Sequence, residues 1–206
     1  MPHAPHVKLL RATNANLLQA VTLWCADREA AKRKYGHISG WDVSEVTNMA
    51  HIFEGQKAFR DDLSAWNVSK VTTMEGMFDG CEVFMGGLAY WSVSRVTNMH
   101  STFRNCHVFN DEIGVWDVSR VTDMSEMFSG CEAFNQPLHR WDVFRVTTTR
   151  KMFLDASSFE GVGLSKWEMN SIEDISYMFM NATALDKAFH VWPLLTTVNM
   201  TAPFGA

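Results

Sequence analysis

Three cysteines stand at an even spacing of 25 residues: Cys81, Cys106 and Cys131. Such a thiol column has three possible chemistries: a disulfide between neighbours, a thiolate metal site, or a reduced column used only for packing. No Cys-x-x-Cys pair accompanies them. The same phase falls on Gln56 in one direction and on Ala156 and Ala182 in the other. Exchange of Cys for Ala at one phase is a packing exchange, so the column reads as buried reduced thiols, and no metal or cofactor is expected. Cys25 is left over.

A basic column runs at the same spacing through Lys70, Arg95, Arg120 and Arg145, with Glu45 before it and Ser171 after it. Like charges stacked about 5 Å apart repel by roughly 0.8 kcal/mol per neighbouring pair even in water. Two compensations are open. The side chains splay into solvent beside the acidic column Asp42, Asp117, Asp142 and Glu168, or they form a linear site for an acidic protein segment or a sulfated glycan. A third column, Thr47, Thr72, Thr97, Thr122 and Thr147, lies beside Ser44, Ser69, Ser94 and Ser119. Regular hydroxyl files are the kind of face that binds ice or carbohydrate. Thr is also a good strand residue whose hydroxyl satisfies neighbouring backbone.

The eight histidines, at 3, 6, 37, 51, 100, 107, 139 and 190, keep no common phase, and His-Glu-x-x-His, Gly-x-Ser-x-Gly and phosphate-loop motifs are absent. A Ser, His and Asp brought together from separate turns remains the one route to catalysis, because such a triad is defined by geometry and not by sequence order. The reading favoured by the residues is that the chain is not an enzyme. Asn67-Val68-Ser69, Asn181-Ala182-Thr183 and Asn199-Met200-Thr201 match glycosylation sequons, which matter only on a secreted chain.

What must position these columns is a repeat, and tryptophan is its ruler. Trp41, Trp66, Trp91, Trp116 and Trp141 are 25 apart, Trp167 follows after 26 and Trp192 after 25. Every other apolar column keeps step. Val43, Val68, Val93, Val118, Val143, Met169 and Leu194 lie two after Trp. Val46, Val71, Val96, Val121, Val146 and Ile172 lie five after it, followed by Thr197. Met49, Met74, Met99, Met124, Thr149, Ile175 and Met200 lie eight after it, and Phe53, Phe78, Phe103, Phe128, Phe153, Phe179 and Phe204 twelve after it. Phe59, Phe84, Phe109, Phe134, Phe159 and Leu185 lie eighteen after it, and Ile38, Leu63, Leu88, Ile113, Leu138, Leu164 and Phe189 precede each Trp by three. One unit that buries about eight side chains at about 2 kcal/mol each cannot offset the backbone entropy of its own residues, so units must stack to fold.

The expected fold class is therefore α/β: a leucine-rich-repeat-like solenoid of about seven 25-residue coils, with short parallel strands at Trp-x-Val and Val-Thr-x-Met and a helical turn around 125–130. Residues 1–36 read as an N-terminal helical cap and 37–206 as one continuous repeat domain. In the cap, Asn14 is expected to start a helix that shares a face of Leu17, Leu18, Val21, Trp24 and Cys25, keeps Arg28, Lys32, Arg33 and Lys34 wet, and stops at Gly36. The chain stops at Ala206 partway through a seventh coil, which leaves that end of the expected stack without a cap. A net charge of −5 without a clustered basic excess argues against nucleic acid as partner. No run of about 18 apolar residues predicts a membrane span, and residues 1–14 do not resemble a secretory signal.

The string from Trp116 to Leu138, WDVSRVTDMSEMFSGCEAFNQPL, strongly resembles the BspA-like leucine-rich repeat, the 26-residue bacterial surface protein repeat. The resemblance runs from about His37 onward, and the unit opened by Trp141 departs from it with Phe144 for Ser and Thr149 for Met. It implies a leucine-rich-repeat superhelix, no catalytic residues, and cell-surface or secreted proteins that adhere to other proteins or cells. Together the residues and the resemblance predict a non-catalytic protein-binding or adhesion module. An ice- or carbohydrate-binding Thr face is the alternative.

Overall fold

The computed structural model describes residues 9–185 and 197–204. The expected column members Phe189, Trp192 and Leu194, together with His3, His6 and His190, lie outside the described residues.

Each 25-residue unit is built by turns. In the units opened by Trp41, Trp66, Trp116 and Trp141, the carboxylate or amide one residue after Trp accepts the backbone N–H two residues later, as Asp42 does from Ser44 (3.1 Å) and Asp117 from Ser119 (3.1 Å). The next turn closes from the second Val to the first, Val121 N to Val118 O at 2.9 Å. These turns leave the two residues between the valines at an outer corner. Past the corner, alternate N–H groups of one unit donate to the next: Met99 to Asp123, Ser101 to Ser125, Phe103 to Met127 and Asn105 to Ser129, at 2.7–3.0 Å. The pattern repeats from unit to unit and is what joins them.

The expected α/β class does not form. Among the described residues there is no sheet: strand pairing is reduced to an isolated parallel bridge between Arg11 and Asp42 and a series along Asn48, Thr73, Asn98, Asp123, Thr148, Asp174 and Asn199. The expected helical turn is absent too, and a leucine-rich-repeat solenoid of parallel strands is not the architecture. The reason lies in two left-handed residues per unit. The tenth residue after Trp has positive φ in His51, Gly76, Ser101, Glu126, Lys151 and Tyr177, and the fourteenth in Gly55, Gly80, Asn105, Gly130, Asp155 and Asn181. Left-handed residues break both an extended run and an α-helix. They also let alternate N–H groups face the next unit, which offsets a conformational cost of about 1 kcal/mol at each non-glycine position. The fold is a stack of loop-built units.

The core is a set of ladders. Phe53, Phe78, Phe103, Phe128 and Phe153 stack at centroid separations of 5.4, 5.6, 5.8 and 5.6 Å. Phe84, Phe109 and Phe134 stack beside them at 6.2 and 6.1 Å. From Trp66 to Trp167 each indole N–H donates to the carbonyl three before the preceding Trp, as Trp91 does to Leu63 and Trp116 to Leu88, both at 3.1 Å. The one-residue lengthening before Trp167 is absorbed at 160–163, where Gly161 and Gly163 have φ of 79° and 98° and Val162 is exposed. A Cβ on Gly163 would collide with the backbone nitrogen of His139, so that site admits only glycine.

The N-terminal helix is broken. Helix α1 spans Leu17–Ala26 and α2 spans Arg28–Tyr35, with Asp27 accepting from Ala30 N (2.9 Å) to start the second. Leu17, Val21 and Trp24 are buried and Cys25 is half-buried, but Leu18 is exposed. Arg28, Arg33 and Lys34 are exposed, Lys32 is half-buried, and Gly36 ends α2. Asn14 does not cap the helix. Its amide instead meets Thr47, accepting the Thr47 N–H (2.9 Å) and donating to Thr47 Oγ1 (2.8 Å), and so takes the place of a preceding threonine in that column.

Asp61 fastens the helices to the stack. Its Oδ2 accepts from Trp24 Nε1 and from Arg28 Nη2, each at 2.8 Å, and Trp24 packs edge-on against Trp41 at 5.8 Å. Asp61→Ala leaves the buried indole N–H without its acceptor, at a cost of about 2 kcal/mol. The expected result is a lower thermal midpoint with early loss of α-helical circular dichroism. Unchanged helix melting would show that the Asp61 contacts do not hold α1.

Candidate functional site: a basic corner ridge

Lys70, Arg95, Arg120 and Arg145 occupy the second corner position of successive Val-x-x-Val turns, and all four are exposed. The turn explains their placement: Val93, Val96 and their equivalents point into the core, so the residues between them point out. The unit-to-unit hydrogen bonds then align the corners in a row. Lys70 Nζ pairs with Glu45 at 2.7 Å across one unit. Among the described residues, Arg95, Arg120 and Arg145 have no carboxylate within ion-pair distance.

The acidic column does not neutralise the ridge. Asp42 and Asp117 accept from their own units' Ser44 and Ser119 at both N–H and hydroxyl, and Asp142 accepts the Phe144 N–H at 3.0 Å. The Ser44 hydroxyl and N–H hold the Asp42 carboxyl below its usual range. These groups shape the corner rather than balance its charge.

One face over, charge is balanced internally. Arg104 Nε donates to both oxygens of Asp79 at 3.0 Å, and its Nη1 to Glu126 at 3.1 Å, while Lys151 lies 3.5 Å from Glu126. Asp79 is 6% exposed, so this network is a strut across four units and not an open site. The hydrogen bond to Asp79 raises the Arg104 pKa further still.

The threonine column also has internal work. Thr72, Thr97, Thr122 and Thr147 each donate both N–H (2.8–2.9 Å) and hydroxyl (3.1–3.2 Å) to the carbonyl of the threonine one unit back. Their hydroxyl protons are committed to the stack, which leaves lone pairs for solvent. The fully buried thiols do the same: Cys81, Cys106 and Cys131 donate to the carbonyls of Phe53, Phe78 and Phe103 at 3.2, 3.1 and 2.9 Å. Burial pushes Cys81 up to about 12 and the other two well above the ordinary thiol value. A protonated thiol is neither a nucleophile nor a metal ligand.

The nearest approach to a catalytic constellation is at His100. Ser125 Oγ donates to Asp123, so His100 Nδ1 donates to Ser125 (2.7 Å), and Ser101 Oγ lies 3.2 Å from Nε2. This is a Ser-His-Ser-Asp chain with a left-handed serine at one end. Ser101 is 3% exposed and its N–H and carbonyl are both bonded, so substrate has no approach to the hydroxyl. Sequence reasoning missed this chain, the Arg104 strut and Asp61, because each occurs in a single unit and leaves no periodic signal.

No helix among the described residues is long and apolar enough to cross a membrane. No curated protein and no solved structure matches the chain. A family model does match, in two overlapping stretches at residues 26–116 and 99–206, which together take in every repeat described above. The chain belongs to the family described as Mycoplasma protein of unknown function, DUF285.

Proposed function

We propose that the chain is a non-catalytic interaction module that binds an acidic segment of a partner protein along the ridge of Lys70, Arg95, Arg120 and Arg145. The observation that carries this reading is the row of three exposed arginines without ion-pair partners on hydrogen-bonded corners, where mutual repulsion stays uncompensated within the described residues. A polyanion would relieve that repulsion and gain charge-assisted hydrogen bonds from three guanidinium groups. The rigidity of the stack limits the ordering cost of binding. The BspA-like character of the repeat string fits adhesive use of this kind.

The test is titration of a polyglutamate probe into the purified chain at several salt concentrations. For Arg95→Ser, Arg120→Ser, Arg145→Ser combined, affinity should fall by about tenfold or more and the salt dependence should flatten. Lys70→Ser alone should change affinity by less than about twofold, because Glu45 already offsets that charge. Wild-type affinity in the triple variant would refute the proposal.

A further inference from the structure

We infer that the ridge ends in an anchoring cleft at Phe144, so that the preferred ligand is an extended acidic peptide carrying one aromatic or large aliphatic residue beside its acidic run. This inference rests on the ridge reading above. Four units carry Ser44, Ser69, Ser94 and Ser119 at the first corner position, and the unit opened by Trp141 carries Phe144. The Ser44 and Ser119 hydroxyls bond to Asp42 and Asp117 at 2.6 and 2.7 Å. Phe144 gives up that bond yet keeps the same turn, its N–H donating to Asp142 at 3.0 Å. The ring is 51% exposed, so the fold makes little use of it.

The ring borders an open cleft of about 340 Å³ that is also lined by two basic residues, Arg140 and Lys166, and two acidic ones, Asp142 and Glu168. The lining is electrically balanced, which suits an uncharged side chain. Charge complementarity comes from the ridge: Arg145 follows Phe144 directly, and Arg120 and Arg95 stand one and two units away. Two unit spacings cover about 10 Å, the length of about three extended residues. A peptide anchored at Phe144 therefore lays its next three or four residues over the arginines, and acidic residues there complete the match.

Binding of four labelled probes to the full chain tests this: a four-glutamate peptide ending in Trp, the same peptide ending in Leu, the same ending in Gly, and a sulfated oligosaccharide. The Trp and Leu peptides should bind about tenfold tighter than the Gly peptide. Phe144→Ser, which restores the residue of the other units, should erase that difference while the thermal midpoint and the Gly-peptide affinity stay unchanged. A Trp or Leu preference that survives in Phe144→Ser, or no preference in wild type, overturns the anchor while leaving the ridge. Loss of all acidic-peptide binding overturns both readings, and a sulfated oligosaccharide that outcompetes every peptide overturns the peptide assignment.

Discussion

Between pH 9 and 11 the protein should lose stability at about 4 kcal/mol per pH unit, enough to unfold a domain of ordinary stability within that window. Cys81, Cys106 and Cys131 are fully buried, and burial is the main cause that raises all three thiols, Cys81 to about 12. In the unfolded chain thiols ionise near pH 8.5. Above that pH the unfolded state has released protons that the folded state retains, so the contribution is fully present below the unfolded value and drains as pH rises. Each thiol contributes about 1.4 kcal/mol per pH unit until its folded pKa is reached. Half-buried Cys25, raised to about 11 by burial and by Asp61, adds a smaller share. Alanine already fills the same column in Ala156 and Ala182. The Cys81→Ala, Cys106→Ala, Cys131→Ala variant should therefore fold, with a clearly shallower alkaline slope in urea titrations across pH. An unchanged slope would mean that the thiols do not govern it.

Phe103→Ala should cost about 4 kcal/mol, the range for a buried Phe whose cavity cannot collapse. Its ring touches Phe109 at 4.1 Å, Phe78 at 5.6 Å, Phe128 at 5.8 Å and Trp116 at 6.2 Å, so one truncation disturbs three consecutive units. Phe204 occupies the same phase but is 45% exposed, and Phe204→Ala should cost less than about 1 kcal/mol. In a stack where each unit leans on its neighbours, burial by those neighbours sets the cost more than residue type. Equal urea midpoints for the two variants would contradict that picture.

The apolar columns were legible in the sequence because every unit repeats them, and the described Trp and Phe columns form the ladders that spacing predicts. The secondary structure was not legible. Ser125 to Gly130 has helix formers and a glycine stop, yet Glu126 and Gly130 are both left-handed and Phe128 N donates across to Met152. Helix propensity of a few tenths of a kcal/mol per residue yields to a hydrogen bond to the next unit. One signal was available: the fourteenth residue after Trp runs Gly55, Gly80, Asn105, Gly130, Asp155 and Asn181, the types that favour positive φ. The tenth position, from His51 to Tyr177, carries no such bias, and its own N–H bond to the next unit, as from His51 to Glu75 or Ser101 to Ser125, holds it there. The basic ridge was readable as spacing. That its arginines lack partners was not, because the nearby Asp42, Asp117 and Asp142 are spent on corner turns that only the folded structure reveals.

Hydrogen–deuterium exchange of the whole chain, with and without the polyglutamate probe, tests the ridge most directly. The bonded amides of Met99, Phe103, Met124 and Phe128 should exchange slowly in both states. On binding, added protection should appear at the corners 94–96, 119–121 and 144–146. Protection confined to the Thr column, to the Arg104 face or to α1 and α2 would contradict the ridge as the working surface.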